Sequence, residues 1–346
     1  MISNPYIQDI LSESESLRAA LRAFSPAPLA SLAGRFRNGE FSNVVLTGMG
    51  ASYCAAYPAW LRLTATGVPV SWVETSELLH YSPGLVTPRS LLVAISQSGY
   101  SAEIQSLVAD GSAARPAALL GVTNDLESPL ARRADLALPI HAGPEHTVST
   151  RTYLNTLSTL LLTALELSGD ALEPARSSLL SAADGVEAYL LGWQSHVADL
   201  KARVGLPKTM FILGRGASMA AVMNGSLVLK EAAKVAFEGM STPYFRHGPL
   251  ELAGPELFIW MFAGGEKTRQ LNRDLALEVK GYGGRVLWVD SQADPELDSL
   301  VIPKVDEIAR PLVEILPLQL YSLAAAELNG IEAGAFRHIG KVTLKE

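Results

Sequence analysis

In the stretch FILGRGASMAAVMNGSLVLKEAAKVAFEGMSTPYFRHGPLEL, from Phe211 to Leu252, a carboxylate at Glu231 and an imidazole at His247 follow a glycine-serine loop, Gly214-Arg215-Gly216-Ala217-Ser218. A buried strand ending at Leu213 and a helix running to about Glu238 are expected to frame that loop. A strand feeding such a loop and then a helix gathers free backbone N–H groups and the positive helix end at one spot, which suits an anion such as a phosphate. A carboxylate and an imidazole beside an anion cradle point to acid-base chemistry on a phosphorylated substrate. A second set of groups comes earlier: Ser52 follows one strand, and Ser96, Gln97, Ser98 and Ser101 follow another. These hydroxyls, with helix-terminal N–H groups, can hold a phosphate without any Lys or Arg. Each residue also has a plainer reading. Serines cap helices, a helix glutamate is commonly solvated, and His247 is one of six histidines. His80, His141, His146, His196 and His338 show no metal-ligand spacing, so neither a metal nor a cofactor is expected.

The elements that must position these groups are legible as apolar runs. Strands are predicted at Val44–Leu46, Val70–Val73, Leu91–Ile95, Ala117–Val122 and Leu136–Ile140, alternating with helical segments, one of which runs from Ser52 to about Ala65. Continuous apolar strands separated by helices imply a parallel sheet covered on both faces. An amphipathic helix is predicted over 6–24, with 12–16 as its solvated acidic face, then a short helix over 29–36. A long helix is predicted over 151–167, and the polar, alanine-rich 168–184 reads as an interdomain connection. The plan then restarts, because LTGMGASYCAA (46–56) and LGRGASMAA (213–221) carry the same strand-loop-helix signature. An internal repeat on this scale predicts two similar α/β lobes. In the second lobe, strands are predicted at Leu257–Phe262, Arg285–Val289 and Ser299–Ile302, with a late helix over 311–328.

Composition bounds the function. The chain has 346 residues, 48% of them hydrophobic and 18% charged, which suits two globular domains. A net charge of −7 without basic clusters argues against nucleic acid as a partner. Cys54 is the only cysteine, which excludes an intrachain disulfide. The first residues lack the basic start and apolar core of a signal peptide. No apolar run reaches the roughly 18 residues needed to span a bilayer, so no membrane partner is expected and a cytoplasmic enzyme is the default.

The spacing LKE(x)15HGPL, with the GRGAS loop before it, resembles the sugar isomerase (SIS) domains of phosphosugar isomerases. The likeness is greatest to the isomerase half of glutamine:fructose-6-phosphate amidotransferases. It implies an α/β fold of two SIS-type lobes, each a flavodoxin-like, five-stranded parallel sheet in a three-layer α/β/α arrangement. The expected segments are N-terminal helices over 1–40, a first SIS domain over 41–180, a second over 190–334 and a catalytic tail over 335–346. Ser96-Gln97-Ser98-Gly99-Tyr100-Ser101 resembles the family's phosphate loop, with Tyr100 where an acidic residue is common, and Ser52 joins it. Glu231 falls on the base that moves a proton between C1 and C2 of an open-chain sugar. Such a base works best with a pKa raised by partial burial. His247 falls on the ring-opening residue, supplied across a dimer interface, which implies a homodimer with a shared active site. Arg337-His338-Ile339-Gly340-Lys341-Val342 resembles the family's tail, whose lysine forms a Schiff base with the ketose carbonyl; without the resemblance, Lys341 reads as part of a solvated tail. Val148, in a Glu145–Arg151 loop one residue shorter than the family's, and Gly340 are expected to orient the sugar.

The chain begins Met1-Ile2, without the glutaminase domain and cysteine nucleophile of the amidotransferases. The expected activity is therefore that of an amino-sugar-phosphate isomerase/deaminase, converting glucosamine-6-phosphate to fructose-6-phosphate and ammonia. Two alternatives are a fructosamine-6-phosphate deglycase, which needs Glu231 and His247 but has less need of Lys341, and a non-catalytic sugar-phosphate-binding regulator.

Overall fold

The structure, a computed structural model, describes residues 3–110, 112 and 115–345. Met1, Ile2 and Glu346, at the ends of the expected first and last segments, lie outside it. The chain forms two compact units, each drawn from two stretches of sequence. One contains Glu15–Leu180 and Arg337–Glu346; the other contains Met1–Ser14 and Ser181–Phe336.

The first unit is built on a parallel sheet of β1 (Asn43–Gly48), β2 (Val70–Glu74), β3 (Ser90–Ile95), β4 (Ala118–Thr123) and β5 (Leu136–Pro139), in the order β2-β1-β3-β4-β5. The central strand β3 is buried at every position, which explains its unbroken apolar run. One face packs Val45, Leu92 and Ala94 under Leu78, Ile104, Leu107 and Leu130 from the covering helices. Each of these valine, leucine and isoleucine side chains contributes roughly 1.5–3 kcal/mol through removal from water, and Ala94 less. Helix Arg151–Ser168 packs against helices Ala30–Arg37, Gly50–Ala55 and Tyr57–Thr64 and is buried on almost every side.

The second unit repeats the plan with β6 (Thr209–Gly214), β7 (Glu238–Ser241), β8 (Leu257–Phe262), β9 (Arg285–Asp290) and β10 (Asp298–Val301), all parallel, in the order β10-β9-β8-β6-β7. Read from β7, this is the β2-β1-β3-β4-β5 order again, as the repeated GAS loop predicts. Leu275, Ala276 and Val279 of helix Glu266–Gly281 pack on Phe211, Ile259, Met261 and Trp288. No helix among the described residues is long and apolar enough to cross a membrane.

Five expectations need correction. The helix after Ser218 does not reach Glu238. Its regular part is Met219–Val228, a wider turn follows to Ala233, and Glu238 starts β7. The leading helix is two, Pro5–Leu11 and Glu13–Ala23, separated at Ser12, whose hydroxyl donates to the Asp9 carbonyl at 3.0 Å. The acidic stretch around Ser12 is not wholly solvated: Glu13 is fully buried and accepts a hydrogen bond from Gln319 Nε2 at 2.7 Å. Most of the expected connection over 168–184 is helix Leu172–Leu190, which buries Leu179, Ala182, Ala183 and Val186 at helical spacing. Its alanines favour a helix as readily as a linker. Helix Tyr57–Thr64 is likewise separate from Gly50–Ala55.

Candidate active site

The strand order locates a crevice. The connection after β1 runs to one side of the sheet and the connection after β3 to the other, so their loops diverge at the carboxyl ends of the strands, where open α/β sheets bind ligands. Ser52 lies within helix Gly50–Ala55 after β1, and Ser96–Ser101 follow β3. The loops approach closely: a Cβ on Gly48 would lie 2.9 Å from the Ile95 carbonyl oxygen and 3.4 Å from Ser52 Cβ. Within the second loop, Ser96 Oγ accepts the Gly99 N–H at 3.1 Å and Ser98 Oγ accepts the Tyr100 N–H at 3.1 Å. The Gln97 carbonyl accepts from Asn124 N at 2.9 Å and Thr123 Oγ1 at 3.2 Å. Ser101 precedes helix Ala102–Val108 without a capping bond from its side chain. Ser96 and Ser98 thus brace the loop backbone, the local role that serines fill at turns.

Gly99 is the hinge of this loop. Its φ of +69° favours glycine, and a Cβ there would lie 2.2 Å from Ser128 Oγ. Ser128 in turn caps the next helix by accepting from Ala131 N. Gly99→Ala is therefore expected to destabilise the protein by about 2–3 kcal/mol through strain and overlap. A KM for a phosphosugar about tenfold or more higher in this variant would tie the loop to phosphate binding, and an unchanged KM would argue against that role.

The tail residues belong to this same unit. Lys341 Nζ donates to Glu145 Oε2 at 2.5 Å and to the Thr147 carbonyl at 2.7 Å, so it is not part of a free, solvated tail. Two residues on, the Thr343 carbonyl accepts from Ala102 N at 3.1 Å, on the first residue of the helix after Ser101. Val148 is buried and Gly340 exposed.

Glu231 and His247 belong to the other unit. Glu231 sits half-buried on a π-helical turn, Leu229–Ala233, which ends at Lys234 in the left-handed region (φ +58°). Such widened turns recur at functional sites. The carbonyls at its end are all engaged: Ala232 accepts from Gly334 N at 3.1 Å, Ala233 from Asn329 Nδ2 at 3.1 Å, and Glu231 from the Lys234 ammonium. That ammonium also donates to the Ala335 carbonyl at 2.7 Å, anchoring the root of the tail to the turn that carries Glu231. Lys230 Nζ donates to Ser226 Oγ at 2.5 Å. His247 is exposed at the end of helix Thr242–Arg246 and precedes Gly248 at φ +145°.

The second glycine-serine loop departs from its expected use as an anion cradle. Ser218 donates its hydroxyl to Glu314 Oε1 at 2.9 Å, so the chain supplies its own carboxyl group there. Glu314 is fully buried, and burial pushes its pKa up to about 7.

Sequence reasoning missed the role of Glu145. The available signal was an acidic residue shortly before the Thr150-Arg151 helix start, where carboxylates engage helix-terminal N–H groups. It also missed the widened turn at Glu231, which leaves no mark in residue type.

A serine-braced loop at the switch point of a doubly wound sheet, in a chain that repeats the sheet, defines a tandem α/β protein. The chain belongs to the SIS domain family, which it matches over residues 40–166 and 207–327. A similar protein from Pyrococcus horikoshii, glutamine–fructose-6-phosphate aminotransferase (isomerizing), is 30% identical over 310 residues, covering 87% of this chain and 52% of that protein. The Thermococcus kodakarensis protein of the same name is 29% identical over 324 residues, with the same coverage. The chain thus spans about half the length of the curated relatives it matches. Among solved structures, the C-terminal domain of glucosamine-fructose-6-phosphate aminotransferase from Francisella tularensis superposes with a TM-score of 0.82 at 21% identity, over 96% of this chain and 98% of that one. Glucosamine-6-phosphate deaminase from Thermotoga maritima superposes with a TM-score of 0.78 at 18% identity, over 99% and 100%. At these identities the superpositions establish the fold.

Proposed function

We propose that this chain isomerises and deaminates an amino sugar phosphate, turning glucosamine-6-phosphate and water into fructose-6-phosphate and ammonia. The observation that carries this reading is the amine of Lys341, 2.5 Å from Glu145 and 2.7 Å from the Thr147 carbonyl. A deglycase has less need of such a group. In this scheme Ser52, Ser96, Gln97, Ser98 and Ser101 hold the phosphate, while Val148 and Gly340 orient the sugar. His247 moves a proton from the C1 hydroxyl to the ring oxygen and opens the ring. Glu231 then takes the C2 proton and returns it to C1 while an amine proton passes to the C1 oxygen, converting the aldehyde with a C2 amine into a C2 imine beside a C1 alcohol. Lys341 adds at C2 and expels ammonia, leaving a lysine imine that water hydrolyses to the ketose and free lysine. The same reading makes the protein a homodimer in which His247 serves the neighbouring copy, and the exposure of His247 is compatible with that.

The test is to incubate the purified protein with glucosamine-6-phosphate and measure ammonia and fructose-6-phosphate. Equal yields of both support the proposal. Cleavage of fructosamine-6-phosphates with no ammonia from glucosamine-6-phosphate would replace it with a deglycase, and binding without turnover of either would replace it with a regulator.

A further inference from the structure

The geometry points to Glu145 as the positioning residue for the Lys341 amine, a role that rests on the reaction proposed above. The Glu145 side chain is fully buried and surrounded by donors. Oε1 accepts from Thr150 N at 2.9 Å, Thr150 Oγ1 at 3.1 Å and Thr152 N at 3.2 Å; Oε2 accepts from Thr152 Oγ1 at 2.6 Å and from Lys341 Nζ at 2.5 Å. Four of these five bonds come from one stretch, the start of helix Arg151–Ser168, where backbone N–H groups and the helix dipole both favour a negative charge. They hold the carboxylate at one place whether or not the lysine is present.

A lysine side chain is long and flexible, and ordering it for attack carries an entropic cost. Here the two acceptors, Glu145 Oε2 and the Thr147 carbonyl, belong to a single loop and take two of the three ammonium hydrogens. Once the third proton passes to solvent, the two remaining N–H bonds keep the amine on these acceptors and its lone pair is free for an incoming sugar. A residue that pre-orders a nucleophile acts on the reaction step and leaves ground-state binding of the phosphate nearly unchanged.

Glu145→Gln is the first variant to make, because it keeps an acceptor for the Thr150 and Thr152 N–H groups and puts an amide in place of the carboxylate facing Lys341. With glucosamine-6-phosphate, kcat should fall about 10–100-fold while KM stays within about twofold. In a Lys341→Ala background the same change should cost almost nothing further, since residues that act through one another are non-additive. Equal losses in both backgrounds would overturn the inference and leave Glu145 a purely structural residue.

A second readout does not depend on turnover. Acylation of Lys341 by an amine-reactive reagent, followed by mass spectrometry, should be faster in Glu145→Gln than in the parent protein, with the other lysines unchanged. Unchanged labelling of Lys341 would also overturn the inference. If the parent releases no ammonia, the proposed reaction fails and the labelling result still decides whether Glu145 holds the amine. Should Glu145→Gln not fold, Thr152→Val removes the 2.6 Å bond to Oε2, together with the 2.5 Å bond between Thr152 Oγ1 and Ser149 Oγ, while leaving the carboxylate in place, and it should change both readouts in the same direction by smaller amounts.

Discussion

Glu231→Gln should lower kcat for ammonia release about a thousandfold, within the usual 10²–10⁴ contribution of a positioned acid-base group. An amide of the same shape cannot accept a proton from carbon, so the C2 to C1 transfer loses its carrier while the surroundings keep their form. Glu231 is half-buried, its own carbonyl, with those of Ala232 and Ala233, is engaged by backbone or other side chains, and glutamine keeps the shape of the side chain. Melting temperature and affinity for the sugar phosphate should therefore change little. The decisive measurement follows solvent deuterium into C1 of the product alongside ammonia release. A variant that keeps more than about a tenth of the parent rate would remove Glu231 from the role of base.

Glu314 should make the protein less stable as pH rises, opposite to the behaviour of a salt-bridged acid. Its pKa is pushed from an ordinary 4.5 to about 7, chiefly by burial, with Asp290 pushing the same way and Arg310 and the Ser218 hydroxyl opposing. Asp290 is itself fully buried and paired with Arg269 and Arg310. Below about pH 4.5 the carboxyl is protonated in both folded and unfolded chains, and the folded state carries no penalty. Between about 4.5 and 7 the unfolded chain ionises while the folded carboxyl stays neutral, so stability falls by up to 1.36 kcal/mol per pH unit. Above 7 the loss levels off at about 3 kcal/mol. Glu314→Gln keeps an acceptor for Ser218 and does not ionise. It should be more stable than the parent by about 2–3 kcal/mol at pH 8 and nearly equal to it at pH 4, measured by denaturant unfolding at both values. Equal stabilities at pH 8 would mean that the folded protein accommodates the charged form.

The sheets were legible because their strands are buried on both faces. Leu91–Ile95 and Leu257–Phe262 read as unbroken apolar runs for that reason, and both loops of the repeat could be aligned on Gly-x-Gly-Ala-Ser. Strand β7 was not, since Glu238-Gly239-Met240-Ser241 has one buried position and joins the sheet through backbone pairing with β6, which residue type does not report. The burial of Glu13 and Glu314 was hidden because a lone acidic residue in sequence is normally solvated. Their partners, Gln319 and Ser218, lie far along the chain. Of the candidate site, the residues fell to resemblance, and the contacts of Lys341 and Glu145 needed coordinates, because 196 positions separate that pair.

The interleaving of the two units sets an order of events during synthesis. Residues 15–180 carry the whole of the first sheet and its serine loop, yet Lys341 belongs to the same unit. At about 5–20 residues per second, a ribosome needs on the order of ten seconds or more to make the intervening 181–336. In that interval a nascent chain can hold a folded sheet with its serine loop formed and still lack the Lys341 amine that bonds to Glu145.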